Sequence, residues 1–77
     1  MTRARFIVRG RVQGVGFRVA AQHRAAQLGL SVQVWNRDDG GFECVADGLD
    51  AAIAELERWL HRGPSLARVD GVERREA

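Results

Sequence analysis

The sequence lacks several features on which common classes of protein depend. Its 77 residues include a single cysteine, so no disulfide can form within the chain, and Cys44 is expected to be a small buried hydrophobe in a strand. No apolar run approaches the roughly 20 residues that span a bilayer. The N-terminal arginines precede only a short apolar stretch, unlike a secretory signal peptide. We therefore expect one domain over residues 1–77, located in the cytoplasm, with no membrane partner.

Concentrated positive charge is also missing. All twelve cationic residues are arginine, yet the net charge is only +2. A nucleic-acid-binding protein usually carries a basic stripe, whereas these arginines are spread along the chain with one cluster at residues 3, 5, 9 and 11. We expect no nucleic-acid partner, although the cluster leaves open either a solvated strand face or a face that attracts anions.

Apolar residues alternate in four segments and recur at helical spacing in two others. The alternating segments are residues 4–12, 31–37, 42–46 and 66–75. Asp39-Gly40 between the second and third predicts a hairpin, and residues 73–77 are expected to fray. In a chain this short, the order β-α-β-β-α-β predicts a ferredoxin-like α+β sandwich, in which two helices cover one face of a four-stranded, mainly antiparallel sheet.

Both helices have sequence signals at their ends. The first should begin at Phe17 and end before Gly29, a residue suited to the left-handed conformation that follows many helices. The second should have Asp47 or Gly48 as its N-cap and should stop at Gly63, before proline. Its expected apolar stripe consists of Leu49, Ile53, Leu56 and Leu60.

Residues 10–18, Gly-Arg-Val-Gln-Gly-Val-Gly-Phe-Arg, join the first strand to the first helix. Glycine permits positive φ and a close approach of the backbone to a ligand, so this turn can point successive N–H groups at an anion. The helix adds further free N–H groups and the positive end of its dipole. Arg18 adds a planar fork of donors that matches phosphate oxygens. The segment therefore predicts a phosphate-binding loop with an arginine clamp.

The groups that often act on a bound phosphate are missing. No cysteine nucleophile or Ser-His-Asp set lies near the loop, and the Gly-Lys-[Ser/Thr] ending of a nucleotide-binding loop is absent. Asn36 remains, on the Val32 and Val34 side of its strand, where it could cap a site or merely begin the hairpin. Such a site can hydrolyse a phosphate bond if the leaving group is good. An acyl phosphate releases a carboxylate with a conjugate-acid pKa of about 4, so the missing groups indicate an activated substrate.

Residues 8–18, Val-Arg-Gly-Arg-Val-Gln-Gly-Val-Gly-Phe-Arg, resemble the signature of the acylphosphatase family. Further matches follow in order along nearly the whole chain: Leu28-Gly29-Leu30, Asn36, Asp39-Gly40, Trp59-Leu60, Gly63-Pro64 and residues 67–70. The glycine-rich segment is highly specific for the family, whereas each later match is weak by itself. The resemblance implies the same ferredoxin-like fold and metal-independent hydrolysis of acyl phosphates to a carboxylate and inorganic phosphate.

The resemblance also implies a role for each site residue. Backbone N–H groups of the loop would bind the phosphate, from Gln13, Gly14, Val15, Gly16, Phe17 and Arg18. The Arg18 side chain would clamp the phosphate, and the amide of Asn36 would hold the water that attacks phosphorus in line. Because asparagine cannot accept a full proton, the substrate phosphate is the expected acceptor. No cofactor, metal or covalent intermediate is expected.

The chain departs from the family pattern at two places near the site and in its length. Gly-Trp-Val commonly precedes the strand's asparagine, whereas residues 32–35 here are Val-Gln-Val-Trp, and Val19 replaces a common aromatic. Family members usually continue past the fourth strand. We expect a monomer, although an exposed sheet edge could pair with a second copy.

Two other functions stay open. One is a non-catalytic module that binds or senses an anion, since acylphosphatase-like domains occur within larger carbamoyl-transfer proteins. The other is RNA binding, which this fold also serves. RNA-reading sheets present aromatics on their open face, and here only Trp35 could stack on a base.

Overall fold

The six predicted elements form in the predicted order in this computed structural model, which describes residues 1–77. They are β1 (Thr2–Arg11), α1 (Phe17–Gln27), β2 (Ser31–Asn36), β3 (Phe42–Gly48), α2 (Asp50–Arg62) and β4 (Arg68–Glu76). The sheet order is β2-β3-β1-β4, and every neighbouring pair is antiparallel. The ferredoxin-like α+β prediction is confirmed. Neither helix, of 11 and 13 residues, has the length and apolar character needed to cross a membrane.

A single cluster of 14 buried residues forms the core between the sheet and the helices. Alternation along β1 directs Phe6 and Val8 into it, and both side chains are 0% exposed. Ala21 and Ala25 face the sheet from α1, and their small side chains allow the helix to approach the strands closely. Both helices therefore lie on the same face of the sheet.

The opposite face of the sheet is covered by its own charged side chains. Alternation places Ile7 on this face, yet it is only 1% exposed. The neighbouring Glu43 accepts hydrogen bonds from the guanidinium groups of Arg5 and Arg37. The Arg5 guanidinium also lies 5.9 Å from the centroid of the Trp35 ring. These ion-paired side chains make the face polar without leaving its apolar residues in water.

The second helix begins later than the sequence predicts. Leu49 is its N-cap residue and Asp50 its first residue, so the prediction of Asp47 or Gly48 as N-cap is wrong. Both residues belong to β3 instead, where Gly48 pairs with Thr2. Because Leu49 precedes the helix, it is 67% exposed and lies outside the apolar stripe. The buried stripe consists of Ile53, Leu56 and Leu60.

The end of the chain is paired, so the expectation that residues 73–77 fray is wrong. β4 extends to Glu76, which pairs with Ala4 of β1. A neighbouring strand supplies hydrogen-bond partners that hold this segment in the sheet.

A β-bulge lies where β1 leads into the loop. Arg9 pairs with Gly71, but the next residue, Gly10, pairs with Val69, so β4 has one extra residue at this point. The φ angle of Gly10 is 131°, and a Cβ there would lie 2.2 Å from the carbonyl oxygen of Arg68. Only glycine fits this position. The extra residue, Asp70, lies directly before Gly71.

Cys44 should be inert in the folded protein. Its side chain is 0% exposed, and burial raises the pKa of its thiol to about 12. We expect iodoacetamide at pH 8 to alkylate the native protein more slowly than the denaturant-unfolded chain by a factor on the order of 10³, because reaction requires opening of the sheet. Mass spectrometry of timed samples measures both rates.

The same buried thiol predicts a dependence of stability on pH. An unfolded cysteine ionises near pH 8.5, whereas Cys44 stays protonated up to about pH 12 in the folded state. The free energy of unfolding should therefore fall as pH rises above about 8.5. Comparison of Cys44→Ala with the unchanged protein across this pH range isolates the contribution of Cys44 to the free energy of unfolding. Equal alkylation of native and unfolded chains would contradict the burial on which both expectations rest.

Candidate active site

The sheet topology brings the loop after β1 close to the end of β2. Both strands are antiparallel to β3, so they run parallel to each other and end at the same edge of the sheet. A cavity of about 160 Å³ lies at this edge. Its lining residues are Val12, Gly14, Gly16, Phe17, Arg18, Val19 and Asn36.

The backbone of the loop presents N–H groups that have no partner in the protein. Gly14 and Gly16 both have φ of 75°, the left-handed conformation that glycine adopts without strain. The first helical hydrogen bond runs from the Ala20 N–H to the Gly16 carbonyl oxygen at 3.0 Å. The N–H groups of residues 13–16 donate to no backbone carbonyl, and those of residues 17–19 belong to the unbonded first turn of α1. The loop is therefore a concentrated set of donors at the positive end of a helix.

Arg18 is an exposed arginine without a carboxylate partner. It is the second residue of α1 and takes part in none of the protein's ion pairs. By contrast, Arg24 on the same helix lies 4.0 Å from Glu55. Since no acidic group neutralises it, the Arg18 guanidinium is available to an anion in the cavity.

Asn36 is the last residue of β2 and the only side-chain amide that lines the cavity. Val32 and Val34, on its side of the strand, pack against the core, which places Asn36 on the same side of the sheet as α1. Its amide makes no hydrogen bond within the protein. The amide can therefore accept from or donate to a small molecule beside a bound anion.

Asp39 of the hairpin has a structural partner for each of its oxygens. It accepts hydrogen bonds from Arg37 at 3.0 and 3.1 Å, from the Gly41 N–H at 3.0 Å and from Arg9 at 3.0 Å. These bonds, that of Arg37 first, hold the pKa of the Asp39 carboxyl far below its usual value. The side chain thus closes the turn, as expected for aspartate in a hairpin, and it has no proton to give near neutral pH.

Glu43, on the opposite face of the sheet, is a second carboxyl bound by arginine side chains. Burial by itself would raise the pKa of this side chain, but hydrogen bonds from Arg5 and Arg37 outweigh burial and lower the pKa. Neither Glu43 nor Asp39 can therefore serve as a general acid at neutral pH.

The structure brings together most of the residues that the sequence assigns to the site. Gly14, Gly16, Phe17, Arg18 and Asn36 share the cavity. The Phe17 ring packs at 4.9 Å and 5.6 Å, between centroids, from two aromatic rings of the core, so only its backbone can face a ligand.

Two assigned residues lie outside the cavity lining, and two residues that the sequence does not assign to the site lie in it. The Val15 side chain packs against the core, and the Gln13 side chain bonds to the hairpin. Val12 and Val19 contribute apolar wall to the cavity. Val19 could have been included from the sequence because it directly follows the arginine. No group of three His, Cys, Asp or Glu side chains is placed to hold a metal ion.

Comparison with known proteins identifies the family of the chain. A family model described as Acylphosphatase matches residues 4–77. This chain belongs to the acylphosphatase family. An acylphosphatase of Anaeromyxobacter dehalogenans is 51% identical over 71 residues, which cover 92% of this chain and 76% of the relative. The crystal structure of acylphosphatase from Bacillus subtilis superposes with a TM-score of 0.96 at 38% identity, covering 100% of this chain and 86% of that one.

The family fold also occurs inside a much longer protein. Full-length HypF, solved in its phosphate- and nucleotide-bound form, matches with a TM-score of 0.83 and 34% identity. The match covers 97% of this chain but only 10% of HypF. The family model and the curated relatives confirm the resemblance read from residues 8–18.

Proposed function

We propose that this protein hydrolyses acyl phosphates to a carboxylate and inorganic phosphate without a metal ion. The observation that carries the proposal is the single cavity shared by the glycine loop, Arg18 and Asn36. Membership of the acylphosphatase family supports the reaction class.

The loop and Arg18 bind the phosphoryl group. Its oxygens accept hydrogen bonds from the unpartnered N–H groups of residues 13–18, while the Arg18 guanidinium forms a bidentate contact. These donors neutralise charge on the equatorial oxygens of the transition state, which is the main contribution a protein makes to phosphoryl transfer. The positive charge that a metal would supply elsewhere comes here from Arg18 and the end of α1.

Asn36 orients the attacking water, and the substrate supplies the remaining chemistry. The Asn36 side-chain carbonyl accepts a hydrogen bond from the water and aims its oxygen at phosphorus, in line with the bond to the acyl oxygen. The proton of the water passes to a phosphate oxygen, since asparagine cannot take it. The departing carboxylate needs no proton, so the lack of a general acid excludes only poorer leaving groups.

A second candidate function is non-catalytic anion binding or regulation. The likeness to a tenth of HypF supports it, because there the fold is one part of a larger protein. Nucleic-acid binding has less support, since Arg5 already lies against the ring of Trp35. The single domain, the monomeric state, the lack of nucleic-acid and membrane partners and the cytoplasmic location stay predictions of the sequence.

The proposal predicts hydrolysis of benzoyl phosphate in the presence of EDTA and no comparable hydrolysis of an alkyl phosphate ester. The reason is the leaving group: a carboxylate departs unaided, whereas an alkoxide needs a general acid that this site lacks. Release of inorganic phosphate, corrected for spontaneous hydrolysis, measures both rates.

One result would favour the non-catalytic anion-binding function instead. A folded protein that binds inorganic phosphate by calorimetry but turns over no acyl phosphate would overturn hydrolysis. Activity that EDTA abolishes would overturn the metal-independent mechanism alone.

A further inference from the structure

The side chain of Gln13 links the phosphate-binding loop to the hairpin that follows Asn36. Its Nε2 donates to the carbonyl oxygen of Arg37 at 2.7 Å and to that of Gly41 at 3.0 Å. Gln13 is the first residue of the loop, and Arg37 is covalently joined to Asn36. One amide group thus connects the two segments on which the proposed reaction depends.

The hairpin at the other end of this link is itself stiff. The Arg37 N–H donates to the Gly41 carbonyl oxygen at 2.8 Å, which closes the loop between β2 and β3. The Arg37 side chain binds Asp39 and Glu43, and Asp39 also binds Arg9 of β1 at 3.0 Å. These ion pairs lie on the face of the sheet opposite the helices and hold the hairpin rigid. Hydrogen bonds from the loop to the hairpin carbonyl groups therefore also fix the end of β2.

We propose that Gln13 is a positioning residue that sets the distance from the phosphate-binding loop to Asn36. The inference rests on the proposed function, in which Asn36 aims a water at the phosphate. Gln13 touches neither the water nor the phosphate with its side chain. It acts through Asn36, because both of its amide N–H donors are committed to the hairpin.

The geometry of the reaction makes such a link consequential. In-line attack requires the water oxygen within about 3–3.5 Å of phosphorus, and a misplacement of about 1 Å can reduce the rate roughly 100-fold. Phosphate binding tolerates more, because the donors of residues 13–18 all belong to the loop itself. Loss of the link should therefore reduce turnover much more than phosphate affinity.

The experiment compares Gln13→Met and Gln13→Glu with the unchanged protein. Methionine keeps the length of the side chain without donors, and glutamate at neutral pH turns a carboxylate toward two carbonyl oxygens. Gln33→Met is the matched control, because Gln33 is exposed on β2 and has no side-chain hydrogen bond. We expect kcat to fall roughly 10- to 100-fold in both Gln13 variants, with KM and the inhibition constant of inorganic phosphate changed less than about threefold.

A double-mutant cycle separates positioning from stability. In an Asn36→Ala background, Gln13→Met should lower the residual kcat by less than about threefold, since the group it positions is gone. Rates are measured well below the melting temperature of every variant, so that a loss of stability alone leaves kcat unchanged.

Each contrary outcome overturns a distinct statement. The link is overturned if Gln13→Met lowers kcat in the Asn36→Ala background by the same factor as in the unchanged protein. It is also overturned if kcat is unchanged in both Gln13 single variants. Either result leaves the role of Asn36 intact. Normal turnover by Asn36→Ala itself overturns the proposed function and the link together. If a Gln13 variant does not fold, proton exchange in the unchanged protein decides: the Gln13 side-chain amide should exchange more slowly than that of Gln33, and equal rates overturn the link.

Discussion

Replacement of Arg18 by alanine should abolish turnover of acyl phosphates and inhibition by inorganic phosphate together. Arg18 lines the cavity and has no carboxylate partner, so we expect its charge to act on the bound phosphate. An arginine that stabilises a transferring phosphoryl group contributes about 10³-fold or more to the rate. We expect kcat/KM to fall by at least that factor, measured as release of inorganic phosphate with phosphate as the competing inhibitor.

The control for this variant is a second unpaired arginine. Arg62, near the end of α2, also belongs to no ion pair but does not line the cavity. Arg62→Ala should keep normal turnover if the position of Arg18, and not the net charge, is decisive. The turnover of Arg18→Lys should lie between those of Arg18→Ala and Arg62→Ala, because a lysine keeps the charge but loses the planar fork.

Unfolding cannot account for the expected loss. Arg18 is exposed and makes no contact with an acidic group, and substitutions at such positions change stability by about 0.5 kcal/mol or less. The melting temperature of Arg18→Ala should therefore match that of the unchanged protein. Inhibition by phosphate that persists in Arg18→Ala would contradict the clamp, whatever happens to turnover.

Local signals were sufficient for most of the fold. Gly29 predicted the end of α1, and in the structure the helix ends at Gln27, with Leu28 as its C-cap residue and Gly29 at φ of 73°. The alternation of residues 4–12 predicted a strand, and β1 occupies residues Thr2–Arg11 with Phe6 and Val8 in the core. These predictions succeed because the period of the side chains and the freedom of glycine are properties of a few neighbouring residues.

Predictions failed where a distant strand determined the local structure. Asp47 and Gly48 have good N-cap character, but pairing with β1 draws them into β3. Glu76 looked like the end of a polar tail, yet Ala4 provides a partner for it. Such pairings join residues from opposite ends of the chain, so no pattern in a short window reveals them.

The candidate site also combines features that the sequence predicts locally with contacts that only the fold creates. The spacing of Gly14 and Gly16, followed by Arg18, was visible in the sequence because backbone donors and a clamp are local features. The contacts of Gln13 with the hairpin and the burial of Glu43 depend on how β1 approaches β3. The sequence therefore predicts a ligand for the site, and the fold determines how the loop and the hairpin are connected.

Replacement of Asn36 by alanine should reduce turnover but not phosphate binding, whereas replacement of Arg18 should reduce both. The free amide of Asn36 lines the cavity, and we expect it to hold a water beside the phosphate and to contribute little to phosphate binding. Loss of one positioned polar group of this kind reduces kcat by about 10²- to 10³-fold. The inhibition constant of inorganic phosphate should change less than about threefold, because the loop and Arg18 remain.

Two further variants make this expectation specific to a neutral amide at position 36. Gln33→Ala, three residues earlier on β2, should leave both kinetic constants unchanged because its side chain lies away from the cavity. Asn36→Asp keeps the shape of the side chain but places a negative charge beside the phosphate, so it should weaken phosphate inhibition as well as turnover. If Asn36→Ala instead weakened phosphate binding as strongly as Arg18→Ala, its amide would be a ligand of the phosphate, and the water would need a different partner in the site.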